Sequence, residues 1–145
     1  MNTGVLASQH IKSLIQNGAI SSTTPIKDDD IQPASLDLRL GEKAYRIRAS
    51  FLPGKNHSVE DKLKDFEMYR FSLKKGAVLE EGCVYIIPLQ ESLSLPDHIS
   101  GYSNPKSSTG RLDIFTRVIT DSAEAFETAV AGYKGKLYLE VSPRT

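Results

Sequence analysis

Six consecutive residues, Lys106-Ser107-Ser108-Thr109-Gly110-Arg111, place two cations around three hydroxyls and a glycine, just before a β-branched stretch. Such a run suits an anion. Lys106 supplies a point charge, Arg111 a planar fork, and the hydroxyls further donors, so several phosphate oxygens can be met at once. Gly110 lets the backbone come close. The order Gly-x-x-x-x-Gly-Lys-Ser/Thr is absent, and the run leads into a strand-like segment, so this is not a Walker loop. Ser, Thr, Gly and Pro also mark any solvated turn, and the loop alone leaves both readings open.

A second chemical group is Glu140 in Leu137-Tyr138-Leu139-Glu140-Val141, a carboxylate among apolar residues. Taken by strand alternation alone, it faces solvent opposite Leu137, Leu139 and Val141. Two further segments accompany the loop: Ile31-Gln32-Pro33-Ala34-Ser35-Leu36-Asp37-Leu38-Arg39-Leu40-Gly41, and the run from Ala131 to Val141 that contains Glu140.

The elements that must position these groups read as mostly β. One short amphipathic helix is expected within residues 4–20, with Val5, Ile11, Leu14 and Ile15 apolar and Asn17-Gly18 as its stop. Residues 35–41 alternate with period two, as a half-buried strand does. Further strands are expected at residues 44–48, 69–73, 83–88, 114–120 and 136–141. Turn signals lie between them at Pro53-Gly54-Lys55-Asn56, Lys74-Lys75-Gly76, Glu80-Glu81-Gly82 and Leu95-Pro96-Asp97, which is the spacing of an all-β sandwich or barrel. The highly charged residues 57–66 read as an exposed insertion in preference to a solvated helix.

A chain of 145 residues suits a single domain able to bury roughly two-thirds of its unfolded surface. Eighteen basic and eighteen acidic residues cancel, so no bulk positive field draws it to long nucleic acid or to an anionic membrane. The single Cys83 has no internal disulfide partner and reads as a buried thiol in a reducing compartment. With no long apolar run, the expectation is a soluble, cytoplasmic protein.

Taken in order, the three segments resemble the deoxycytidine triphosphate deaminases, which share a trimeric β-fold superfamily with the deoxyuridine triphosphate diphosphatases. Gln-Pro-Ala-Ser-Leu-Asp-Leu-Arg-Leu-Gly is close to that family's early strand, and Lys106-Ser107-Ser108-Thr109-Gly110-Arg111-Leu112 to its phosphate motif. Ser103-Asn104-Pro105-Lys106 and Leu139-Glu140-Val141-Ser142-Pro143-Arg144 look nearest to a longer branch, in which two modules lie in one chain and this one corresponds to the first.

The resemblance implies a dUTPase-like distorted barrel or jelly roll with a short N-terminal helix, and hydrolysis of dCTP to dUTP and ammonia without zinc. Independently, zinc deaminases need a His or Cys followed by Cys-x-x-Cys, which one Cys and three scattered His cannot supply. By the same likeness Glu140 is the general base and acid, shuttling a proton from the attacking water. Ser107 and Arg111 hold that water and the triphosphate side, Lys106 and Ser108 bind phosphate, and Thr120 offers a backbone carbonyl near the amine. Mg²⁺ comes bound to the nucleotide phosphates. The resemblance also implies a site shared between subunits of a trimer-like homo-oligomer, and further strands and a closing tail beyond this module.

Asp113 and Asp121 read first as turn or edge aspartates, and Gln32 and Asp37 as side chains fixing a turn. The chain departs from the family's short branch at Thr128-Ala129-Val130-Ala131-Gly132, which replaces Ile-Asp-Pro-Gly, and at residues 122–128, which read as an insertion. Recognition of the base edge is therefore not carried over. Two other readings stand beside the deaminase: a diphosphatase releasing pyrophosphate from dUTP or dCTP, and a non-catalytic nucleotide-binding or structural module.

Overall fold

A computed structural model describes residues 4–106 and 112–144. Its centre is an antiparallel sheet in the order β3-β2-β4-β8-β6: β3 (Glu67–Ser72), β2 (Lys43–Ile47), β4 (Val84–Ser94), β8 (Lys134–Pro143) and β6 (Ile114–Thr120). β1 (Ile20–Ser22) pairs with the far end of β4, and β5 (Gly101–Tyr102) and β7 (Thr128–Ala129) form a separate two-stranded ribbon. The mainly β, dUTPase-like architecture is as expected. Among the described residues, no helix is long and apolar enough to cross a membrane.

The long central strands β4 and β8 are covered on both faces, so neither shows a simple inside-outside alternation. One face joins Ile47, Ile86, Ile119 and Tyr138 to Phe51, Val59 and Leu63. On the other, Ala44, Tyr85, Ile87 and Val141 pack together, continued by Val118 and Leu137 in the neighbouring cluster. A strand sandwiched in this way reads as a nearly continuous apolar run, and any polar side chain within it must find its partners inside the protein.

Pro88 stands inside β4, where a proline removes one ladder donor. It sits beyond the last β2 pairing at Ile86 and before the β1 pairings begin at Glu91, next to the register shift between Pro88 and Ser92. The gap is filled from residues 35–41. Gly41 N–H donates to the Pro88 carbonyl at 2.8 Å and Gln90 N–H to the Arg39 carbonyl at 2.9 Å. A Cβ at Gly41 would meet the Pro88 oxygen at 2.5 Å, so only glycine allows this approach.

Residues 35–41 are thus extended but form no strand of the sheet; they touch it through the single bridge Leu40–Leu89. Their period-two pattern reflects docking by side chains. Arg39 Nε donates to Glu91 Oε2 at 2.9 Å, its backbone N–H to Glu91 Oε1, and its terminal nitrogens to Ser22, Thr24 and Pro25. This fully used guanidinium neutralises a carboxylate that is 1% exposed and ties the early segment to β1 and β4.

The strand expected at 114–120 is β6; those expected at 44–48 and 69–73 are found slightly displaced as β2 and β3, and those at 83–88 and 136–141 are the longer β4 and β8. The first helix is shorter than its pattern: α1 spans Ser8–Gln16, burying Ile11 and Leu14, with Asn17-Gly18 ending it and Val5 left exposed. Cys83 is half-buried instead of fully buried.

Residues 57–66 are a correction. They contain helix α2 (Val59–Phe66), which seals one face of the sheet. Val59, Leu63 and Phe66 recur at i, i+4 and i+7, and Ser58 caps the helix by accepting from Asp61 N–H at 3.0 Å. With Leu63 only 6% exposed, Leu63→Ala is expected to lower the unfolding free energy by about 3 kcal/mol in urea titration. A loss below about 0.5 kcal/mol, the usual range for a surface substitution, would show that α2 is only peripheral cover.

Candidate active site

Glu140 lies at the middle of β8, opposite Ile86 of β4 and Arg117 of β6. It is 2% exposed. The expectation from alternation, a solvent-facing side chain, fails because α2 and its flanking loops cover the Tyr138–Glu140 face of the strand. Directly opposed cross-strand residues share a face, and Arg117 Nε donates to Glu140 Oε2 at 2.8 Å. Ser50, on the loop after β2, bonds the other oxygen, Oε1, and accepts from Arg117 Nη2 at 2.8 Å. An arginine can only donate, so the Ser50 hydroxyl proton is left to point at Glu140.

The Arg117 guanidinium is held from the outside by an aromatic face. Phe126 lies with its ring centroid 3.5 Å from the guanidinium carbon and Phe115 at 5.1 Å, both in cation–π range. Phe126 belongs to residues 122–128, the segment read as an insertion. Glu127 anchors that segment to β6: its backbone N–H donates to the Val118 carbonyl at 2.9 Å, and its carboxylate accepts from Val118 N–H.

The anion loop is seen only at its entrance, because Ser107, Ser108 and Arg111 lie outside the described residues. Lys106 is paired with Asp37 of the early segment, Nζ to Oδ2 at 2.9 Å, and Gln32 Nε2 donates to the same oxygen at 3.2 Å. Gln32 also donates to the Asp29 carbonyl. These two residues do fix a turn, and in addition they join the early segment to Lys106.

Thr120 ends β6, 3% exposed, and its carbonyl accepts from Ala123 N–H at 3.3 Å. Asp121 is structural: Oδ1 accepts from Val59 N–H at the start of α2, at 2.8 Å. Asp113 is in a turn with φ of 56°. Sequence reasoning missed Arg117, Ser50 and Phe126. Arg117 was within reach, since an arginine in a β-branched strand beside another strand's glutamate invites pairing. Ser50 carries no comparable signal.

An all-β fold of the dUTPase-like type, with a buried strand glutamate gripped by an arginine, defines the class of this protein. The family model of the 2'-deoxycytidine 5'-triphosphate deaminase (DCD) N-terminal domain matches residues 2–145, and the chain belongs to that family. It is 29% identical to a Haloarcula marismortui protein named dCTP deaminase, over 81% of this chain and 59% of that one. It is 27% identical to a Methanobrevibacter smithii protein named dCTP deaminase, dUMP-forming, over 95% of this chain and 69% of that one. The crystal structure of 2'-deoxycytidine 5'-triphosphate deaminase from Agrobacterium tumefaciens superposes with a TM-score of 0.96 at 56% identity, covering 100% of this chain and 43% of that one. The chain thus spans about three-fifths of the Haloarcula relative's length and less than half of the Agrobacterium chain.

Tyr133 braces the strand that carries Glu140. Its hydroxyl donates to the Lys136 carbonyl at 2.6 Å and accepts from Asp121 N–H at 3.0 Å. Burial pushes its pKa up to about 12, the Asp121 hydrogen bond opposing and the Asp121 charge adding. The neutral form is favoured in the folded state, so this stability is complete below the unfolded value of about 10 and is lost as pH rises towards 12. Tyr138 is shifted the same way, first by burial. Thermal melts between pH 9 and pH 12 are expected to fall less steeply for Tyr133→Phe than for the parent; parallel curves would contradict the assignment.

Proposed function

We propose that this chain is the glutamate-bearing module of a hydrolytic dCTP deaminase that converts dCTP to dUTP and ammonia without zinc. The observation that carries this reading is Glu140: a carboxylate 2% exposed, in the interior strand, with each oxygen held by a side chain that reaches the surface. Membership of the deaminase family supports the substrate.

In this reading Glu140 takes a proton from a water as its oxygen bonds to the ring carbon bearing the amine. The tetrahedral adduct then loses the C–N bond: the proton returned by Glu140 leaves with the nitrogen as ammonia, and the second water proton passes from the new hydroxyl to the ring nitrogen, giving the carbonyl of dUTP. Ser107 and Arg111 hold the water and the triphosphate side, Lys106 and Ser108 take phosphate oxygens, and the Thr120 carbonyl accepts from the amine. Mg²⁺ enters on the triphosphate. Asp37, which meets Lys106 at the loop entrance, is already engaged by Lys106 and Gln32, and in this reading the phosphates would be the metal's ligands.

A trimer-like assembly belongs to the same reading; Leu112 and Phe115, exposed at the edge formed by β6, offer apolar surface for it. A bifunctional variant, which also releases pyrophosphate, is favoured by one observation: several relatives are named dUMP-forming.

The test is incubation with dCTP and Mg²⁺, following ammonia, dUTP, dUMP and pyrophosphate together, beside Glu140→Gln. The expected result is ammonia release that falls at least about 100-fold in the variant. Pyrophosphate in step with ammonia would make the enzyme bifunctional. Ammonia release that survives in Glu140→Gln would remove Glu140 from the mechanism, and dCTP binding without turnover would mark a binding module.

A further inference from the structure

We infer that Arg117 and Ser50 are the positioning pair for Glu140, fixing its carboxylate plane and linking it to the surface; a catalytic consequence of this rests on the deaminase reading above. Three contacts close a ring: Arg117 Nε to Glu140 Oε2 at 2.8 Å, Arg117 Nη2 to Ser50 Oγ at 2.8 Å, and Ser50 to Glu140 Oε1. A carboxylate held at both oxygens cannot rotate about its terminal bond without breaking a contact. It still keeps free lone pairs for a water, because each oxygen accepts more than one hydrogen.

Exposure rises step by step along the ring. The Glu140 side chain is 3% exposed and that of Arg117 28%, and Ser50 belongs to the exposed class. The two side chains bonded to the Glu140 carboxylate are thus both more exposed than it is. Phe126, stacked on the guanidinium at 3.5 Å, keeps the fork in its plane. A lysine would keep the charge but lose the planar stack and the rigid fork that aims two donors at once.

The other buried ion pair shows what a purely structural arginine looks like. Arg39 spends all its nitrogens on Glu91, Ser22, Thr24 and Pro25. Among the described residues Arg117 bonds only Glu140 and Ser50, and its Nη1 makes no protein hydrogen bond, leaving a donor beside the carboxylate. An arrangement built only to neutralise Glu140 has no need of the exposed serine.

The experiment compares Arg117→Lys and Ser50→Ala with the parent chain in two readouts. The first is the carboxyl ¹³C signal of Glu140 in glutamate-labelled protein, identified by its disappearance in Glu140→Gln. It is expected to shift and broaden in both variants while the Glu91 signal stays. The second is turnover of dCTP with Mg²⁺, where kcat should fall at least about tenfold with KM within about twofold, the pattern of an interaction made only in the transition state. Ser50 is exposed, so its alanine variant is expected to fold even if Arg117→Lys does not. An unchanged Glu140 signal and unchanged kcat, with only the melting temperature lowered, would overturn the inference and leave a structural brace. Should the parent release no ammonia, the deaminase reading falls, and the carboxyl signal alone decides whether the pair positions Glu140.

Discussion

A carboxylate at the centre of a strand covered on both faces constrains everything around it. Glu140 is almost wholly withdrawn from bulk water, at 2% exposed, and an unpaired charge there would cost several kcal/mol. The structure meets this with the nearest position geometry offers, the directly opposed residue on β6. From that choice much follows: β6 must lie beside β8 in this register, Phe126 must come back over the guanidinium, and the loop after β2 must deliver Ser50. Glu127, bonding both backbone groups of Val118, is what keeps the 122–128 segment in place to do so.

The two buried glutamates divide the labour of the sheet. Glu91 and Arg39 tie the irregular early segment to the long strand β4, and every donor is spent within the protein. Glu140, on the other central strand β8, is paired with Arg117 of the edge strand β6, whose side chain is 28% exposed. Fully satisfied polar networks rigidify a core; an incompletely spent one beside a buried carboxylate is where chemistry has room.

Much of the sheet was legible because its strands are β-branched and punctuated by glycine turns, and residues 114–120 are found as an unbroken strand, β6. Three features were not. The helix α2 carried its signal in Val59, Leu63 and Phe66, but the surrounding charges masked it. The period-two run at 35–41 belongs to a segment whose hydrogen bonds go to side chains and to the gap opened by Pro88. The burial of Glu140 was legible only through the family resemblance, because alternation assumes one wet face, and β8 has none. Ser50 lies 90 residues from Glu140 in sequence, and a contact of that range leaves no local pattern to read.

The two carboxylate–cation pairs at the candidate site also differ in what a ligand could do to them. Lys106 and Asp37 meet where the lysine is 63% exposed, and an exposed pair of this kind contributes at most about 1 kcal/mol. A polyanion bearing several charges could draw Lys106 away at little cost, while Gln32 would still hold Asp37. Glu140 and Arg117 meet where the carboxylate is 3% exposed, and separating them would strand a buried charge. The Lys106–Asp37 pair is therefore free to exchange partners and the Arg117–Glu140 pair is not, which is the asymmetry the proposed deaminase reading calls for: a charged ligand bound and released around a fixed carboxylate.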